Sequence, residues 1–153
     1  MNKLLFFFLL FYLHVANVYS DIIKPNTKIE PYNVVEIQLI SLKNNDKPDK
    51  DFGIEQTWEF AHPENKINTG PLNNFKKMLK NEIYSILLNH KDHKIKEIYN
   101  NKKIAIYDVI ILGSDNFYYE FKWQVERYDG KGSLNNCWLT TAVSNPVSLG
   151  ASI

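Results

Sequence analysis

The chain has 153 residues, 44% hydrophobic and 23% charged, ordinary values for a globular domain and unlike those of a disordered, repetitive or polytopic membrane protein. Its 18 Lys and Arg against 17 Asp and Glu leave a net charge of +1, so it has no polybasic footprint for nucleic acid. One Cys excludes an intramolecular disulfide framework, and the distinctive figure is an aromatic content of 14%.

Lys3 precedes an apolar run from Leu4 to Leu13, too short to cross a hydrocarbon core of ~30 Å and suited to the centre of a signal peptide. Val18 and Ser20 place cleavage before Asp21, so residues 1–20 are expected to be a signal peptide. His14 and Asn17 interrupt the longer run that an uncleaved anchor would need. Removing these residues leaves a formally neutral chain, for which steering toward nucleic acid or anionic lipid is not expected. The expected route is the secretory pathway, with no stable membrane span after cleavage. The alternative is a complex plastid reached by way of the signal peptide.

Residues 21–31 carry two prolines and read as an extended arm. From Tyr32 to Leu42, Val35, Leu39 and Leu42 recur at helical spacing, widened by Val34 and Ile37. The polar stretch from Lys43 to Asp51 ends that helix, and Ile54, Trp58 and Ala61 mark a second over 54–61. Pro63 disfavours helical geometry at His62, so a loop is expected from there to Gly70-Pro71. A third helix is predicted from Leu72 through Phe75, Met78, Leu79, Ile83, Ile86 and Leu87.

The period then changes. A strand is predicted over His93 to Ile98, and Ile104 to Leu112 reads as a nearly continuous β-branched strand covered on both faces. After a turn at 113–116, Phe117, Tyr119, Phe121, Trp123 and Val125 alternate with polar residues, as in a strand with an aromatic inner face. Asp129-Gly130-Lys131-Gly132 forms the next turn, Cys137 to Val143 a last strand, and residues 146–153 a C-terminal tail. Helices followed by an antiparallel meander predict an α+β domain over residues 32–145.

Several of these pieces together resemble a family. They are Val34-Val35-Glu36-Ile37-Gln38-Leu39, Asn44-Asn45-Asp46, the run Gly53 to Pro63, Thr69-Gly70-Pro71-Leu72, Leu87-Leu88-Asn89-His90 and Cys137-Trp138-Leu139-Thr140. The resemblance is to a domain of unknown function, DUF4864, which is similar to NTF2-like proteins. It implies an NTF2-like cone, with three N-terminal helices packed on a curved antiparallel sheet of about four strands and a pocket between them. It implies no activity, because scaffolds of this kind host isomerases, dehydratases, adaptors and transport factors.

Trp58, Phe60 and His62 are the residues expected near a pocket mouth, two as an apolar wall and one as a titratable tip. Tyr107, Asp108 and Trp123 are expected to line the same pocket from the sheet. Asp108 interrupts an apolar strand face, the kind of setting from which a general base is built, and with His62 or Tyr107 it forms the candidate acid/base pair. His90, Asp92 and His93 raise a metal hypothesis that lacks a third nitrogen or sulfur ligand nearby in sequence. Gly70 alone is too little for a phosphate loop, and Cys137 has no neighbouring base. No cofactor or metal is expected. The first expectation is a non-enzymatic secreted domain that binds an apolar small molecule or a partner protein, with a sheet able to support a homodimer. The alternatives are a small isomerase or lyase using Asp108 and His62, and a structural or assembly factor in an endomembrane or plastid compartment.

Overall fold

Pro31 opens the first helix, α1 (Pro31–Lys43), where the missing proline N–H is not needed. Its buried stripe is Val34, Val35, Gln38, Leu39 and Leu42, the apolar face predicted from spacing with one polar residue inside it. This computed structural model describes residues 21–152, so the signal-peptide reading of residues 1–20 lies outside the described residues.

The second helix, α2 (Phe52–Glu59), begins after Asp51, whose φ of 65° reverses the chain. Gly53 lets α2 approach α1: a Cβ there would lie 2.1 Å from the Ser41 carbonyl oxygen. The helix ends two residues before the predicted Ala61, because the main chain at 60–62 leaves it to join the sheet. Thr140 N–H donates to the Phe60 carbonyl at 2.8 Å, and His62 N–H donates to the Thr140 carbonyl at 2.9 Å.

Pro63 does end helical geometry at His62, and it also starts a new helix. Residues expected to form a loop are α3 (Pro63–Thr69), with proline in the first turn and the His62 ring accepting from Glu64 N–H. The helix predicted from Leu72 to Leu87 divides in two. The fourth helix, α4 (Leu72–Leu79), stops because the Asn81 side chain accepts from the N–H groups of Ile83 and Tyr84 and turns the chain aside. A short 3-10 turn, Ser85–Leu87, follows, and Ile83 is left exposed.

Five strands complete the domain: β1 (Asp92–Asn100), β2 (Ile104–Leu112), β3 (Phe117–Arg127), β4 (Trp138–Val143) and β5 (Val147–Ala151). All pairings between them are antiparallel. β1, β2 and β3 are neighbours in that order, and the far edge of β3 is shared end to end. β5 pairs with Phe117–Glu120 and β4 with Trp123–Arg127. The architecture is therefore α+β with four helices on a five-stranded sheet, one helix and one strand beyond the expectation. The residues read as a tail supply the fifth strand, which is held by main-chain pairing and buries none of its own side chains.

Coverage of β2 on both faces is corrected as well. Ala105, Tyr107, Val109 and Ile111 are buried, while Ile104, Ile106, Asp108, Ile110 and Leu112 are only half-buried. The helices cover one face of the sheet and no described element covers the other. The predicted aromatic face of β3 is buried at Phe121, Trp123 and Val125, but Tyr119 is half-buried and Phe117, the strand's first residue, is exposed. Val34, Val35, Leu39 and Leu42 of α1, Ile54, Phe60, Phe75 and Leu79 pack on this inner face to form one core.

Candidate functional site

Between the helices and β4 lies a cavity of about 280 Å³. Leu42, Trp58, Phe75, Met78, Leu79, Leu87 and Val143 line its walls. Each is placed by the elements above: Leu42 by the α1 stripe, Trp58 by the last turn of α2, and Phe75, Met78 and Leu79 by one face of α4. Trp58 packs on Phe75 with ring centroids 5.0 Å apart, and Lys66 Nζ lies 5.4 Å from the Trp58 ring. Burial holds the Lys66 ammonium below its ordinary pKa, with Glu59 acting in the opposite sense.

The innermost lining is polar. Gln38, Thr140 and Trp123 are all buried there and hydrogen-bonded to one another. Thr140 Oγ1 donates to Gln38 Oε1 at 2.6 Å, and Trp123 Nε1 donates to Gln38 Oε1 at 3.2 Å and reaches Thr140 Oγ1 at 3.3 Å. Gln38 Nε2 donates to the Thr57 carbonyl at 3.1 Å. The indole N–H can only donate and the carbonyl can only accept, so the two together set which end of the Gln38 amide faces each.

A second polar zone comes from α3, through Asn65, Asn68 and Thr69. α3 buries none of its residues, and Asn65 Nδ2 ties it to β4 by donating to the carbonyls of Thr140 and Thr141 at 3.1 and 2.8 Å. Among the described residues no Asp, Glu, Lys, Arg or His lines the cavity, and the one titratable lining group is the Tyr84 phenol, which donates to the Val143 carbonyl at 3.3 Å.

Of the six residues expected at a pocket, the structure brings two together, Trp58 and Trp123. Phe60 is fully buried in the core and outside the cavity lining. His62 is half-buried, caps α3 and packs edge-on against Tyr128 at 5.4 Å between ring centroids. Tyr107 is fully buried on the inner face, where burial and then Glu97 on the neighbouring strand push its phenol up to about 12. Asp108 is the next residue along β2 and so faces the other way. It pairs with Lys122 directly opposite on β3. The contacts of Asp108 and His62 lead to different neighbours, and neither residue lines the cavity.

His90 and His93 do meet, with Nε2 of one 2.8 Å from Nδ1 of the other. Among the described residues no group of three His, Cys, Asp or Glu side chains is placed to hold a metal ion. Cys137 is buried, and burial raises its thiol pKa.

The polar groups that matter most in the cavity, Gln38, Thr140 and Asn65, were not among the residues singled out from sequence. Gln38 carried a usable signal, because it stands at i, i+4 and i+8 between Val34 and Leu42 on an otherwise apolar helix stripe. A polar residue on such a stripe is either buried with partners or misplaced. Asn65 carries none, since its role depends on α3, where Pro63 in sequence predicts a loop. Among the described residues no helix is long and apolar enough to cross a membrane. Comparison with protein-family models, with curated proteins and with solved structures finds no significant match to this chain.

Proposed function

We propose that the protein is a non-enzymatic binding domain whose ligand is a small, mainly apolar molecule held between the helices and β4. The single observation that carries this reading is the cavity of about 280 Å³, with apolar walls, a hydrogen-bonded polar end and, among the described residues, no charged side chain in its lining. Small-molecule sites are concave and mostly apolar, with a few placed polar groups, and this one falls at the small end of their usual ~300–1,000 Å³.

We further read the fold as an NTF2-like cone of the DUF4864 type and the protein as a secretory-pathway product, with the complex plastid as the alternative destination. The helical layer preceding an antiparallel sheet supports the first reading, and the apolar run from Leu4 to Leu13 supports the second. The uncovered face of the sheet, with half-buried Ile106, Ile110 and Leu112 and exposed Tyr118, is the surface we assign to a second copy or another protein partner. The isomerase or lyase alternative has less support, because Asp108 and His62 share no contact and stand outside the cavity lining.

Native mass spectrometry of the protein purified from its own compartment tests the proposal. A retained small molecule is the expected result, read together with the processed N-terminus and the oligomeric state. A ligand-free chain found only in complex with another protein would overturn small-molecule binding in favour of an assembly role.

A further inference from the structure

The chemistry of the cavity narrows its ligand further. We infer that the site takes a neutral, compact molecule bearing one hydrogen-bond acceptor, a carbonyl or ether oxygen, and that Gln38 Nε2 is the donor that receives it. This inference rests on the cavity being a binding site.

Three observations carry it. The first is a donor in excess. The Gln38 amide nitrogen has two hydrogens, and among the described residues only one has an acceptor, the Thr57 carbonyl. Gln38 is 1% exposed, so bulk water does not serve the second hydrogen, and the residue lines the cavity. The amide oxygen, by contrast, is filled: Gln38 Oε1 receives both Thr140 Oγ1 and Trp123 Nε1. The second hydrogen of Gln38 Nε2 is therefore the unpaired donor at the inner end of the site, and a ligand that supplies an acceptor completes it.

The second observation is the absence of any countercharge. With no Lys, Arg, His, Asp or Glu in the lining among the described residues, a carboxylate, phosphate or ammonium would lose its hydration without gaining a charged partner there. The third is size. A cavity of about 280 Å³ is larger than the ~150 Å³ that admits benzene and smaller than most drug-sized sites, so one ring with a short substituent, or a short branched chain, is the fitting scale.

Three probes of similar shape test the inference on the chain as it exists after processing: acetophenone, cumene and benzoate. Binding is followed by fluorescence of the cavity tryptophans and by the side-chain amide resonances of Gln38. Acetophenone and cumene are expected to bind and benzoate not to bind at concentrations where acetophenone saturates. The Gln38 amide signal should move with acetophenone and stay with cumene. In Gln38→Met the preference for acetophenone over cumene should fall about fivefold relative to the parent, the ratio cancelling the different hydration of the two probes. The amide signal requires no variant, so the inference stays testable if Gln38→Met fails to fold. An unmoved Gln38 signal with both neutral probes bound would overturn the acceptor while leaving the cavity reading intact. Benzoate binding as well as acetophenone would overturn the requirement for neutrality. Failure of all three to bind would overturn the cavity reading itself, and the inference with it.

Discussion

His90 makes the stability of this protein depend on pH between about pH 6.5 and about pH 4. Its ring is 2% exposed and held at both nitrogens, Nδ1 at 2.7 Å from the Leu87 carbonyl and Nε2 at 2.8 Å from His93 Nδ1. A carbonyl only accepts, so the hydrogen sits on His90 Nδ1, Nε2 keeps its lone pair, and His93 donates from Nδ1. Adding a proton to His90 would set two N–H groups against each other. Burial lowers His90 from 6.5 to about 4, with His93 and Lys43 acting in the same sense and the Leu87 carbonyl and Asp92 against it. Burial also lowers His93, reinforced by Lys43 and opposed by Asp92 and Glu36. The unfolded chain therefore accepts a proton that the folded chain refuses. Stability is complete above about pH 6.5, declines as pH falls, and loses no more to His90 below about pH 4. At about pH 5 the loss from His90 alone comes to about 2 kcal/mol, a large share of a typical folding free energy of ~5–15 kcal/mol. Urea unfolding followed by tryptophan fluorescence between about pH 7.5 and about pH 5 measures it. His90→Asn keeps a donor near Leu87 and removes the titration; it should be less stable near neutrality yet lose much less on acidification. An unchanged slope in the variant, or a flat profile in the parent, would refute the reasoning.

Gly53→Ala should destabilise the fold by about 3 kcal/mol, because its Cβ would meet the backbone of Ser41 and Asn45, which cannot give way without separating α1 from α2. Gly132→Ala, which meets nothing within 4 Å, should cost only about 1 kcal/mol from its φ of 96°, and urea midpoints compare the two. Asp108→Asn removes an ion pair whose lysine side chain is 58% exposed, so thermal unfolding should shift by less than about 1 kcal/mol and acetophenone binding should not change. Loss of binding in that variant would return Asp108 to the site.

The difference between what could be read and what could not is one of range. The α1 stripe, the start of α4 and the alternation along β3 are local patterns, repeated often enough that spacing alone reveals which side faces the core. The errors fall where one residue has two local meanings. Pro63 ends one helix and opens the next, and Asn81 diverts a chain whose apolar period would have continued to Leu87. Val147–Ala151 alternates Val147, Leu149 and Ala151 with Ser148 and Gly150 over only five residues, too few to stand out, and β5 is held through its backbone by β3 and not through buried side chains.

The candidate site was less legible for the same reason. Period two along β2 already requires that Tyr107 and Asp108 face opposite ways, so the sequence by itself determined that those two could not share one pocket. It also determined the net charge of +1, the aromatic content and the amphipathic helix that carries Gln38. Only the tertiary structure decided that Gln38 meets Thr140, 102 positions away, and Trp123, 85 positions away, and that Asn65 secures α3 across β4. Hydrogen bonds between side chains so distant in sequence leave no periodic trace. They exist because β3 and β4 are paired and α1 is packed across their inner face.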